Sequence, residues 1–225
     1  RSCVRAAAGL AVLVLAAPAG AQVFDFDDVV LLARRDLYEG YNDVWGFVGN
    51  DGREYVIQGL TTGTAWWDVE DPLNPIHVKM IPGPTSNWRD HFVIGDHAYV
   101  GTEGGGGIQI IDISNPADPT LVNVYDATLG RSHNVFGDAS RNLVFACGGY
   151  TDGANGGIQI FDATDPVNLV EIGRWSNRYV HDLSVEGNVL HACLISNGRL
   201  RLIDASDSTN PVVQGNAFVD PAGNV

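Results

Sequence analysis

Four polar pairs recur at one phase of the chain: Asn42-Asp43, Asp90-His91, His133-Asn134 and His181-Asp182. Successive pairs begin 48, 43 and 48 residues apart, so each belongs to a repeated unit rather than to one local motif. Carboxylates, imidazoles and amide oxygens gathered from such positions can hold a divalent cation. Calcium would favour the oxygens of Asp43, Asn134 and Asp182, and zinc would recruit His91, His133 or His181. An arginine stands just before three of the pairs (Arg89, Arg131, Arg178), and Trp88, Trp175 and Tyr179 lie close by. Cations beside aromatic rings suit an anionic or sugar-like ligand. No Gly-x-Ser-x-Gly, His-Glu-x-x-His or paired-cysteine metal motif accompanies them.

The elements that position these pairs repeat as well. Gly107–Pro119 reads GIQIIDISNPADP, Gly157–Leu169 reads GIQIFDATDPVNL, and Gly198–Pro211 reads GRLRLIDASDSTNP, with a more divergent copy at Gly63–Pro75. The second unit predicts four strands. The first starts at His91 and turns at Gly95-Asp96. His97–Thr102 and Ile108–Ile113 follow, joined by a glycine-rich tip, and Thr120–Tyr125 completes the set. The third is apolar enough to be buried on both faces. Four strands per period of about 46 residues is the signature of a β-propeller blade, so an all-β propeller with about four blades is expected. The first strand of a blade lines the central channel, which puts the polar pairs at one mouth of it. There they either meet water and neighbouring backbone or form a ligand site.

Asp68, Asp112, Asp162 and Asp204 close the third strands. Each precedes a turn rich in Ser, Thr, Asn or Pro, so they are read as turn acceptors, not catalytic groups. The glycine runs at 104–107 and 153–157 lack the Lys-Ser/Thr ending and following helix of a phosphate loop.

Residues 1–21 combine basic Arg1 and Arg5, an apolar run and Ala19-Gly20-Ala21, which predicts a secretory signal peptide. Residues 22–40 then form a lead-in and 41–225 the blades. A fifth polar pair would fall just beyond Val225, so the chain is read as an incomplete propeller. Formal net charge is −14; without Arg1 and Arg5, 11 basic residues face 27 acidic ones, near −16. Such acidity repels phosphate backbones and argues against a nucleic-acid partner. Cys147 and Cys193 hold matching positions in adjacent units. Export permits a disulfide, but splayed neighbouring blades favour two free thiols.

The phrase Gly107–Pro116 is similar to the LVIVD repeat of exported prokaryotic propellers. Asn42–Gly46, Gly52–Tyr55, Gly63–Ala65, Trp88–Asp90, Ser132–Asn134 and Val180–Asp182 together resemble the choice-of-anchor B family. That resemblance implies a secreted or surface-anchored protein tethered through a C-terminal signal beyond this sequence, and brings no established activity. The expected function is a non-catalytic module binding protein or glycan at the cell surface. The alternative is a metal-dependent hydrolase with a channel cation and His133 or His181 as base; a spacer role in an envelope assembly is the third reading.

Overall fold

The structure is a computed structural model describing residues 30–151, 154–195 and 199–218. The expected signal peptide at 1–21 lies outside the described residues, as does the lead-in before residue 30.

The period found in the sequence becomes four antiparallel sheets of four strands among the described residues. The first contains β1 (Tyr41–Val48), β2 (Glu54–Leu60), β3 (Gly63–Asp68) and β4 (Ile76–Pro82). The second contains β5 (Arg89–Ile94), β6 (His97–Thr102), β7 (Ile108–Asp112) and β8 (Thr120–Tyr125). The third has β9 (Asn134–Asp138) and β10 (Leu143–Cys147). A small hairpin, β11 (Tyr150–Thr151) and β12 (Ala154–Asn155), precedes its β13 (Ile158–Asp162) and β14 (Val170–Trp175). The fourth has β15 (Asp182–Glu186), β16 (Val189–Leu194), β17 (Arg199–Asp204) and β18 (Val212–Phe218). Strand order follows the chain within each sheet, and the first strands stand side by side: β1 against β5, β5 against β9, β9 against β15. Sheets that meet along their first strands and stack face to face form a β-propeller.

Burial explains why no unit stands alone. Ile57, Trp66, Ala98, Val100 and Ile111 pack between the first two blades. Tyr99, Ile110, Val144 and Phe161 fill the next interface, and Phe145, Ile160, Leu190 and Ile203 the third. The apolar third strands β7 and β13 are covered on both faces, as their composition predicts. A register shift between third and fourth strands recurs in every blade, at Trp66/Trp67, Ile110/Ile111, Ile160/Phe161 and Leu202/Ile203. The glycine that opens the repeated phrase is a close approach: a Cβ on Gly107 would lie 1.9 Å from Tyr125 O, and one on Gly157 2.0 Å from Trp175 O.

The strand-closing aspartates cap turns. Oδ1 of Asp68, Asp112, Asp162 and Asp204 accepts the backbone N–H two residues on, at 3.1, 2.7, 2.8 and 2.8 Å. Bonding to Ser114 holds the Asp112 carboxyl below its ordinary range, and Thr164 and Ser206 do the same for Asp162 and Asp204. The sign follows: this stabilisation is present above the unfolded carboxyl pKa and is lost as pH falls through the lower folded value. Asp112→Ala should therefore cost about 1 kcal/mol in a denaturant melt at neutral pH, the worth of one such bond. Unchanged melting would refute the structural assignment.

The buried glutamines of the phrase tie blades together: Gln109 Nε2 donates to Pro82 O and Gln159 Nε2 to Thr128 O, both at 3.0 Å. Cys147 and Cys193 are free thiols. Burial pushes the Cys147 thiol well up, reinforced by Asp182 and Asp90, and burial also raises Cys193. Raised thiols are poor nucleophiles at neutral pH.

Candidate functional site

The site is built at the start of each first strand, where a side chain can face the axis. Asn42 and Asp43 stand near the start of β1, Arg89, Asp90 and His91 open β5, and Asn134 opens β9 with His133 just before it. Strand alternation sends neighbours to opposite faces, so the three consecutive polar residues of β5 have separate fates. His91 is enclosed beside β2, where a Cβ on Gly59 would lie 2.9 Å from its ring; glycine there makes room for the imidazole. Asp90 turns towards β9 and accepts Val135 N–H at 2.7 Å.

A cavity of about 130 Å³ opens between these strands, lined by Asn42, Asp43, Trp88, Arg89, Asp90, His133 and Asn134. Within it the Asp43 and Asp90 carboxyl groups hydrogen-bond each other, and His91 Nδ1 lies 3.3 Å from Asp43 Oδ2. Burial drives the Asp90 carboxyl well above its ordinary value, and adjacent Asp43 drives it further. Burial pushes Asp43 the same way, but its bonds to His91 and Asp90 outweigh that and leave it low. Two carboxyl groups in contact thus pull their titrations apart, Asp90 upward and Asp43 downward. Burial also depresses the His91 imidazole, against the pull of Asp43.

Asn42 Nδ2, Asn134 Oδ1 and His91 Nε2 are buried without a hydrogen-bond partner among the described residues. The same holds for Thr64 Oγ1, Trp66 Nε1 and Ser132 Oγ, and all of these atoms lie beneath the protein surface. The rim is aromatic. Trp88 is 53% exposed, and its ring lies 6.4 Å from that of His133. His133 in turn is 4.2 Å from the His181 ring and places Nδ1 2.7 Å from Glu103 Oε1. Burial, then the neighbouring His133, lowers His181.

The geometry thus joins Asp43, Asp90, His133 and Asn134 around one cavity, with His91 beside Asp43 and the His181 ring tilted at 45° against that of His133. Asp182 does not line the cavity: it is exposed, and its Oδ1 accepts the neighbouring Leu183 N–H at 2.7 Å. Arg89 needs a correction. It borders the cavity, but its guanidinium turns inward, where it donates to Leu60 O at 3.1 Å, to Pro84 O and to Gln109 Oε1 at 3.5 Å. It is a strut between the first two blades and does not present its charge to an anion. Arg131 and Arg178 are exposed and do not line the cavity. Among the described residues no three His, Cys, Asp or Glu side chains converge on a point that would hold a metal ion. Of Asp43, His91, His133, His181 and Asp182, the first two face each other, His133 faces Glu103, and Asp182 folds back on its own strand. Glu103 was not legible from sequence. It occurs once, at the β6–β7 tip, and only the closeness of the next blade gives it a partner.

The comparisons agree with the architecture. The LVIVD repeat matches residues 89–127 and 177–218, which contain the second and fourth blades. No curated protein matches the whole sequence as a relative. Solved structures match in fold. They include a candidate 6-phosphogluconolactonase from Bacteroides uniformis (TM-score 0.64, 14% identity, 78% of this chain and 54% of that one). A periplasmic gluconolactonase from Pseudomonas aeruginosa gives a TM-score of 0.61 at 14% identity, over 77% of this chain and 53% of that one. A protein from Lactobacillus plantarum gives 0.60 at 14% identity, over 80% and 56%. The chain spans about half the length of each of these structures. At such identity the likeness is one of fold. The chain is a β-propeller that carries LVIVD repeats.

Proposed function

We propose that this chain is the blade-bearing part of a secreted or surface-anchored propeller of the choice-of-anchor B type, acting as a non-catalytic binding module. One observation carries the reading. Three first strands and the residues just before them bring Asn42, Asp43, Trp88, Asp90, His133 and Asn134 to a single cavity, where the Asp43 side chain is 40% and Trp88 53% exposed. The exported location rests on the basic, apolar and small-residue pattern of residues 1–21 and on the acidic surface. In this reading residues 22–40 lead into the blades. The partner is a surface protein or glycan.

The test is an array of cell-surface glycans and proteins probed with the purified chain and an Asp43→Asn/Asn134→Ala double variant. The binding reading expects a ligand retained by the parent and lost by the variant. A ligand held equally by both would move binding away from the channel mouth.

The Glu103–His133 contact at 2.7 Å favours a second reading, a hydrolase. A carboxylate that fixes one imidazole nitrogen leaves the other as an oriented general base, and two of the structures similar in fold carry lactonase names. That reading expects turnover of simple esters or lactones that disappears in His133→Ala; the binding reading expects no turnover in either protein.

A further inference from the structure

Building on the channel-mouth reading, we infer that the cavity takes a neutral polyhydroxylated ring, a pyranose, with its hydroxyl edge on Asp43 and His133 and its C–H face against Trp88.

The argument is one of matched chemistry. A hydroxyl both donates and accepts, so a site for vicinal hydroxyls needs donors and acceptors interleaved at close range. The cavity wall supplies them. The Asp43 carboxylate, its side chain 40% exposed, is an acceptor that a ligand in the cavity can reach, and the Asp90 carboxyl lines the same wall. Glu103 binds His133 Nδ1, which leaves the other ring nitrogen of this cavity-lining residue for a ligand. Trp88 adds the one large apolar surface at the rim, a ring that is 53% exposed although it borders the cavity. A flat indole beside a polar cleft matches a molecule with one apolar face and one hydroxylated edge.

The competing ligand classes fit less well. An anion would approach the Asp43 carboxylate in a protein of net charge −14, while the Arg89 guanidinium is held inside by backbone oxygens and Gln109. Among the described residues no group of three or more acidic, histidine or cysteine side chains is placed to hold a divalent cation. At about 130 Å³ the cavity is smaller than the clefts of about 300–1,000 Å³ that take drug-sized ligands, so its occupant is small.

Thermal-shift and calorimetric titrations of the purified chain test this, with glucose, galactose and mannose, sodium gluconate, inorganic phosphate and calcium chloride as separate probes. At least one neutral sugar should raise the melting temperature saturably. Trp88→Ala should weaken it at least about tenfold, equivalent to 1.4 kcal/mol. Asp43→Asn should weaken it comparably, and Arg178→Ala, outside the cavity, should leave it unchanged. Gluconate, phosphate or calcium acting alone, with the effect lost in Asp43→Asn, would overturn the sugar assignment and leave the channel-mouth site standing. A sugar effect that survives both Trp88→Ala and Asp43→Asn would overturn the assignment by placing the sugar elsewhere. No response to any probe would overturn the inference and count against the binding reading together.

Discussion

Arg89→Ala should lower the unfolding free energy by about 3 kcal/mol or more. The side chain is 1% exposed and donates to Leu60 O and Pro84 O, which belong to the first blade and its exit, and to Gln109 Oε1 in the second. Removing it strands three buried acceptors at about 1–3 kcal/mol each and leaves a large void between blades. Equilibrium denaturation of the variant measures the loss. If Arg89 were a binding group facing solvent, its removal would leave stability within about 0.5 kcal/mol of the parent. Arg178→Ala, at an exposed position, should fall inside that smaller range.

The second large effect is electrostatic and appears as pH rises above the ordinary carboxyl range. Asp90 has a folded pKa raised first by burial and then by the hydrogen bond and charge of Asp43. The linkage sign is therefore opposite to that of Asp112. Asp90 contributes stability that is fully present below the unfolded carboxyl pKa and is lost as pH rises through the higher folded value. Several groups shape this limb. They are Asp43 on β1, Arg89 and buried His91 on β5, His133 on β9 with Glu103 behind it, and His181 and Asp182 at the start of β15. Ionising both carboxyls sets two like charges in contact, a repulsion of about 1 kcal/mol in water and about 4 kcal/mol at the effective dielectric of a protein surface. Asp90→Asn keeps the shape and a donor but cannot ionise. Melting temperature followed from pH 5 to pH 9 should fall in the parent and stay flatter in the variant. Parallel curves would show that the pair is not coupled.

The fold was legible because turns and strands leave local signals. His97–Thr102 and Thr120–Tyr125 stand in the structure with the bounds their β-branched and aromatic runs predict. Asp112 caps the turn that its Ser-Asn-Pro context implies. The double register of polar pairs and closing aspartates places each first strand within a residue or two. Less of the site was readable. Period 2 assigns residues to faces but does not say which way a long side chain bends once there, so Arg89 turned inward where sequence suggested the mouth. A motif register also cannot reveal contacts made across blades by a residue that does not recur, which is why Glu103 went unseen. Asp182 shares the register of Asp43 but is exposed and bonds its own strand, so equal phase did not ensure equal environment.

What separates a ligand site from a solvated structural ring is whether its polar groups stabilise the protein that carries them. Groups kept for binding are commonly neutral or costly to stability, because strain and unmet hydrogen bonds are retained for function. The decisive measurement is the melting temperature of an Asp90→Asn/Asn134→Ala double variant, taken beside Arg89→Ala at pH 8. A channel-mouth binding site requires the double variant to melt at or above the parent, since it removes an ionisable buried acid and a buried acceptor without a partner. A loss of stability comparable to that of Arg89→Ala would mean that the ring holds the blades together, and would contradict the account.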